Sequence, residues 1–149
     1  MYLIVGLGNP DKQYEKTFHN MGYIAVGDAA ELLGTKFKKK ECEASVAEAY
    51  IGGEKVILAR PLTYMNNSGS AGTHNGMRSI IGETGLKDFP RIRIGIRDEE
   101  VDIPIINYVL SEVRKEDYEL FSQSCRKAGE AAAEFARGLD IEKVMCKYN

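Results

Sequence analysis

Tyr2-Leu3-Ile4-Val5-Gly6-Leu7-Gly8-Asn9-Pro10 decides the fold class: an apolar, β-branched run reads as a buried strand, and the Gly-Leu-Gly-Asn-Pro punctuation turns it into a loop. Beyond that loop, Ile24, Ala25, Ala29, Leu32 and Leu33 recur at helical spacing. Asn20 stands where a helix cap belongs and Gly34 where a stop belongs. Ser45 to Tyr50 then alternates, Gly52-Gly53 supplies a turn, and Lys55 to Ala59 returns as the second strand of an antiparallel hairpin. Strands interleaved with helices predict an α/β layer architecture.

Leu62 to Asn75 is dense in Thr, Asn, Ser and Gly, whose side chains compete for backbone hydrogen bonds, so it reads as a loop. Met77 to Ile81 predicts a short helix. Arg91 to Ile96 alternates Arg with Ile and predicts a strand with Arg91 and Arg93 on one face. Lys115 to Arg137 carries helical periodicity through Tyr118, Leu120, Phe121, Cys125, Ala128 and Ala132, and Ile141 to Lys147 a final helical turn or two. Tyr118, Phe121 and Phe135 read most simply as core contacts. The sequence has no internal repeat or low-complexity tract.

A chain of 149 residues with 44% hydrophobic and 28% charged residues supports one core of ordinary size and disfavours disorder. Twenty basic residues against twenty-two acidic ones give a net charge of −2, so any contact with nucleic acid must come from a local patch. Lys36, Lys38, Lys39 and Lys40 read as a solvated edge; Arg114, Lys115, Arg126 and Lys127 are ambiguous on a surface helix. Apolar runs such as Val56 to Ala59 and Ile103 to Ile106 are too short for a bilayer, and neither a signal peptide nor membrane association is expected. Cys42, Cys125 and Cys146 are odd in number and widely separated, which fits reduced thiols in the cytoplasm.

Gly6-Leu7-Gly8 after a strand invites a dinucleotide-binding reading, but the third glycine would fall at Asp11 and Pro10 removes a backbone donor. His19 and His74 are the two histidines, each followed by Asn. An imidazole is the usual base near neutral pH, and neighbouring carboxamides orient a substrate or donate to an oxyanion without competing for the proton. Asn9, Asn66 with Asn67, and Asn75 lie in Gly-rich turns, where α/β proteins place their sites. Asn9, His19, Asn66 and Asn75 are therefore expected to meet in one cleft. Gly69-Ser70-Ala71-Gly72 lacks nucleophile-elbow spacing, and the scattered His and Cys predict no metal.

Val5-Gly6-Leu7-Gly8-Asn9-Pro10, His19-Asn20-Met21-Gly22, Pro61-Leu62-Thr63-Tyr64-Met65-Asn66-Asn67-Ser68-Gly69, His74-Asn75-Gly76-Met77-Arg78-Ser79-Ile80 and Phe89-Pro90-Arg91-Ile92-Arg93-Ile94-Gly95-Ile96 closely resemble bacterial-type peptidyl-tRNA hydrolase. The resemblance runs essentially from Met1 to Asn149. It implies one domain over residues 1–149, a mixed β-sheet flanked by helices, and cleavage of the ester linking peptide to tRNA so that tRNA is recycled for translation. It also implies a cytoplasmic protein with peptidyl-tRNA as partner, no cofactor and no metal; a monomer is expected. By position, His19 matches the base that activates water, and Asn9 and Asn75 the amides that hold the peptide. Asn66 matches the amide that positions the ester carbonyl and its oxyanion. Tyr14, Tyr64 and Met65 match the wall of the substrate site, and Arg93 matches a contact to the acceptor phosphates of tRNA.

The chain departs from the family between the Tyr64-Met65-Asn66 and His74-Asn75-Gly76 loops. Members of the family carry there a helix, a central strand with an acidic run, and a basic hairpin. Here Asn67 to Thr73 stands in their place, so the internal shortening falls between Gly69 and Thr73. The aspartate that would orient His19 and the lysines of the phosphate site have no counterpart at matching positions. After Ile96, Arg97-Asp98-Glu99-Glu100 replaces the usual Gly-Arg-Pro turn. An impaired relative that binds tRNA acceptor ends or peptides is the alternative reading, with a dinucleotide-binding module more remote. Loss of an interior strand predicts a smaller, closed-up sheet.

Overall fold

A computed structural model describes residues 1–62, 75–86, 88–96 and 102–149, with the backbone alone for Asn75, Gly76, Ser79 and Glu83. Strand β1 (Tyr2–Val5) pairs in parallel with β4 (Glu54–Pro61), from Tyr2 opposite Val56 to Val5 opposite Ala59. β4 runs antiparallel to β3 (Ala44–Ile51), and β3 antiparallel to the short β2 (Lys39–Glu41). The sheet is mixed, in the order β1-β4-β3-β2. The hairpin forms where its sequence demands: Gly52 (φ 57°) and Gly53 (φ 83°) both take the left-handed backbone that a two-residue turn between right-twisted strands requires.

Helix α1 (Met21–Leu32) follows β1 and packs on the sheet, and α4 (Tyr118–Ala136) packs on α1. The main core joins Val26, Ala29 and Ala30 of α1 to Ala47 and Ala49 of β3, Val56 and Leu58 of β4, and Ala132 and Ala136 of α4. Small residues set the helix spacing. A Cβ at Gly129 of α4 would lie 2.7 Å from the Ala25 carbonyl oxygen, so the two backbones are as close as glycine permits. Helix α2 (Asn75–Thr84) extends beyond the predicted Met77 to Ile81, and α5 (Ile141–Tyr148) is capped by the Asp140 carboxylate, which accepts from the Glu142 amide at 2.9 Å.

Four expectations change. β1 is only half buried, with Leu3 60% exposed, because β4 is its sole partner among the described residues and it forms that end of the sheet. Residues 91–96 form no strand. Their alternation survives as burial, with Ile94 and Ile96 packed beside Met21, Phe121 and Cys125 while Arg91, Ile92, Arg93 and Gly95 are exposed. A strand needs a ladder partner for its amides and carbonyls, and no described strand lies beside this segment. Tyr118 is not a core residue, since it is 49% exposed and only stacks on Phe121 at 6.0 Å; Leu120 is exposed as well. The buried stripe of α4 runs through Phe121, Cys125, Ala128, Ala132 and Ala136. Finally, β2 and α3 (Ile105–Leu110) form from stretches that carry no clear periodicity. Phe135 is half-buried, edge-on to Tyr2 at 5.5 Å.

Gly129→Ala is expected to destabilise the protein by about 1–3 kcal/mol through overpacking, more than the roughly 1 kcal/mol that alanine gains over glycine in a helix. Thermal or denaturant unfolding of the two proteins checks the sign.

Candidate functional site

The loop leaving β1 lies directly on the first turn of α1. A Cβ at Gly6 would lie 2.2 Å from the Gly22 carbonyl oxygen, and one at Gly22 would lie 2.5 Å from the Leu7 carbonyl oxygen. Only hydrogen side chains fit there. That approach brings Asn9 against the 3-10 turn Phe18–Asn20, which carries His19.

Asn20 makes the join. Its Oδ1 accepts from the Asn9 amide at 2.8 Å and its Nδ2 donates to the Asn9 carbonyl oxygen at 3.0 Å, both bonds buried. A buried loop must satisfy its own backbone polar groups, and one carboxamide here satisfies both those of Asn9. Asn20 starts α1 but makes no side-chain cap bond to it, so the capping role assigned from sequence is overturned. The stronger use is the tertiary one, which spacing in the sequence does not signal. Asn9 itself is 3% exposed, and its Oδ1 accepts from the Asp11 amide at 3.0 Å, which fixes the orientation of its carboxamide.

His19 is half-buried beside this clamp, its ring 5.8 Å from that of Tyr14. Burial holds its imidazole below the ordinary value of 6.5, so it is neutral at pH 7 and able to accept a proton. The turn around it is held from the other side. The Thr17 hydroxyl donates to the Tyr14 carbonyl at 2.8 Å, the Val113 amide donates to the Lys16 carbonyl at 2.9 Å, and Phe18 stacks on Tyr108 of α3 at 4.8 Å.

Asn20 thus ties the Asn9 loop to the turn that carries His19, and the His19 ring lies near that of Tyr14. Asn75 is described as the first residue of α2 by its backbone alone, while Tyr64, Met65, Asn66 and His74 lie outside the described residues. Arg93 is exposed on the irregular segment 91–96. Arg114 meets Asp117 at 2.6 Å and Arg126 meets Glu130 at 3.6 Å, so those two surface cations face carboxylates. Lys36, Lys38, Lys39 and Lys40 are all exposed, with Lys39 3.1 Å from Glu48. Among the described residues no three His, Cys, Asp or Glu side chains cluster as a metal site, and no helix is long and apolar enough to cross a membrane.

A family model described as peptidyl-tRNA hydrolase matches residues 3–72 and 67–149 of the chain. The peptidyl-tRNA hydrolase of Enterococcus faecalis is 34% identical over 186 positions, covering all of this chain and 99% of that protein. That of Alkaliphilus metalliredigens is 38% identical over 188 positions, covering both chains completely. The crystal structure of peptidyl-tRNA hydrolase from Acinetobacter baumannii has the same fold, with a TM-score of 0.81 at 24% identity over all of this chain and 94% of that one. An alignment of 186 positions against 149 residues leaves at least 37 positions of the Enterococcus protein without a counterpart. The family match divides within residues 67–72, where the motifs already placed the shortening.

Asn20→Ala strips both partners from the buried Asn9 backbone and is expected to cost about 1–3 kcal/mol, the penalty for an unsatisfied buried group. Chemical unfolding measures it.

Proposed function

The chain belongs to the peptidyl-tRNA hydrolase family, and on that premise we propose how its residues cleave the ester between peptide and tRNA and return the tRNA to translation. The observation that carries the assignment of roles is the Asn9–Asn20 clamp: it bonds the loop bearing an oriented Asn9 carboxamide to the 3-10 turn bearing the neutral, half-buried His19 imidazole.

His19 takes a proton from the attacking water as its oxygen closes on the ester carbonyl. The proton then passes to the departing ribose oxygen. An ester carries a better leaving group than an amide, so one base and a few placed donors are enough. With its Oδ1 engaged by Asp11, Asn9 offers its amide nitrogen to a carbonyl of the peptide, and Asn75 holds the same end of the substrate. Asn66 donates to the oxyanion. Tyr14, Tyr64 and Met65 form the wall of the substrate site. Arg93, exposed and on a segment whose isoleucines anchor it to the core, contacts acceptor phosphates. These residues all come from one copy of the chain, so a monomer suffices, working in the cytoplasm where peptidyl-tRNA arises.

His19→Ala should lower kcat by about 10²–10⁴-fold, the usual contribution of a positioned base. In the unsubstituted chain kcat/KM should fall as pH drops through the imidazole's pKa. Because burial lowers that pKa, the acid inflection should lie below 6.5; an inflection above it rejects His19 as the base. Arg93→Ala should weaken tRNA binding more than Lys38→Ala and reduce the slope of log affinity against log salt by about one. Equal losses would transfer the phosphate contact to the lysine edge.

A further inference from the structure

Tyr23 stands on the first turn of α1, four residues after His19, and touches two other parts of the site's scaffold. A Cβ at Gly8 would lie 2.6 Å from the Tyr23 ring, so the ring fills the space beneath the Asn9 loop. Its hydroxyl donates to the carbonyl oxygen of Pro61, the last residue of β4. The next amide, that of Leu62, donates to the Glu43 carbonyl at 2.7 Å. The end of β4 is thereby tied on one side to α1 and on the other to the start of β3.

Arg60 supports the same junction. Its guanidinium carbon lies 4.3 Å from the centroid of the Phe37 ring and 5.8 Å from that of Tyr23, and a Cβ at Gly27 would meet its Nη2 at 2.1 Å. Burial raises the pKa of the Tyr23 hydroxyl above its ordinary value, against the pull of the Arg60 charge, so at neutral pH it is a protonated donor. The chain leaving Pro61 reaches Asn66 five residues later.

We propose that Tyr23 is a positioning residue for the hydrolysis: its ring under Gly8 and its hydroxyl on Pro61 set the end of β4, and with it the origin of the Asn66 segment, against the Asn9 and His19 unit. The ring alone would serve packing. The hydroxyl links the two polypeptide segments whose residues must act on one carbonyl, and a misplacement of reacting groups by about 1 Å is enough to slow a reaction substantially.

The inference rests on the roles given above to Asn66 and His19, and the test separates the two. In the full chain, Tyr23→Phe keeps the ring and removes the hydroxyl. It is expected to lower kcat about tenfold while KM stays within about twofold and the acid inflection does not move. In an Asn66→Ala background the same change should cost nothing further. Equal losses in both backgrounds, or a loss confined to KM, would overturn the positioning role. Native-state hydrogen exchange reads the tether without turnover: the Leu62 amide should exchange faster in Tyr23→Phe, and unchanged exchange would overturn the proposal whatever the activity. If the unsubstituted chain releases no peptide from peptidyl-tRNA, the site assignment fails, and with it the catalytic part of the proposal; the Leu62 exchange then still reports whether Tyr23 holds β4.

Discussion

The approach of two glycine backbones, Gly6 against the carbonyl of Gly22, is the constraint on which the site depends. It presses the exit of β1 onto the entry of α1 with no side chain between them. At that distance Asn20 reaches both backbone groups of Asn9, and the 3-10 turn that holds His19 is locked to the loop that holds Asn9. Any Cβ at either glycine would push the two segments apart and leave the Asn9 amide and carbonyl buried without partners. Fold and chemistry are therefore coupled at this point rather than merely adjacent.

The rest of the core explains how so short a chain keeps the junction rigid. Buried alanines at positions 25, 29 and 30 of α1 and 128, 131, 132, 133 and 136 of α4 let two helices and a sheet close at small spacing. Cys125 belongs to a second, smaller cluster with Met21 and Phe121, and burial pushes its thiol up to about 12, so it serves as a small apolar residue and not as a nucleophile. Phe18 extends that cluster to Tyr108, so the turn bearing His19 is supported from below by the same residues that pack α1 on α4. The imidazole is consequently neutral because of where the core leaves it, half out of water, and this suits the role of a base.

What the sequence by itself determined is whatever local chemistry settles. The apolar run of Tyr2 to Val5 and its Gly-Leu-Gly-Asn-Pro exit, the Gly52-Gly53 hairpin, and the periodicity of α1, α4 and α5 all act over a few residues, where turn geometry and side-chain spacing leave one good answer. The motifs around Asn9, His19, Asn66 and Asn75 likewise marked the family. Tertiary structure decided everything that depends on a distant partner. Asn20 turned from cap to clamp because Asn9 lies within reach only after β1 and α1 have docked. Residues 91–96 kept their alternation in burial yet formed no strand, since a ladder needs a neighbour that periodicity cannot supply. Tyr118 faces outward because the stripe of α4 that meets α1 is fixed by small residues at Cys125, Ala128, Gly129 and Ala132, not by the largest apolar ones. Hydrogen-bond satisfaction and close packing are non-local, and only the folded chain brings their partners together.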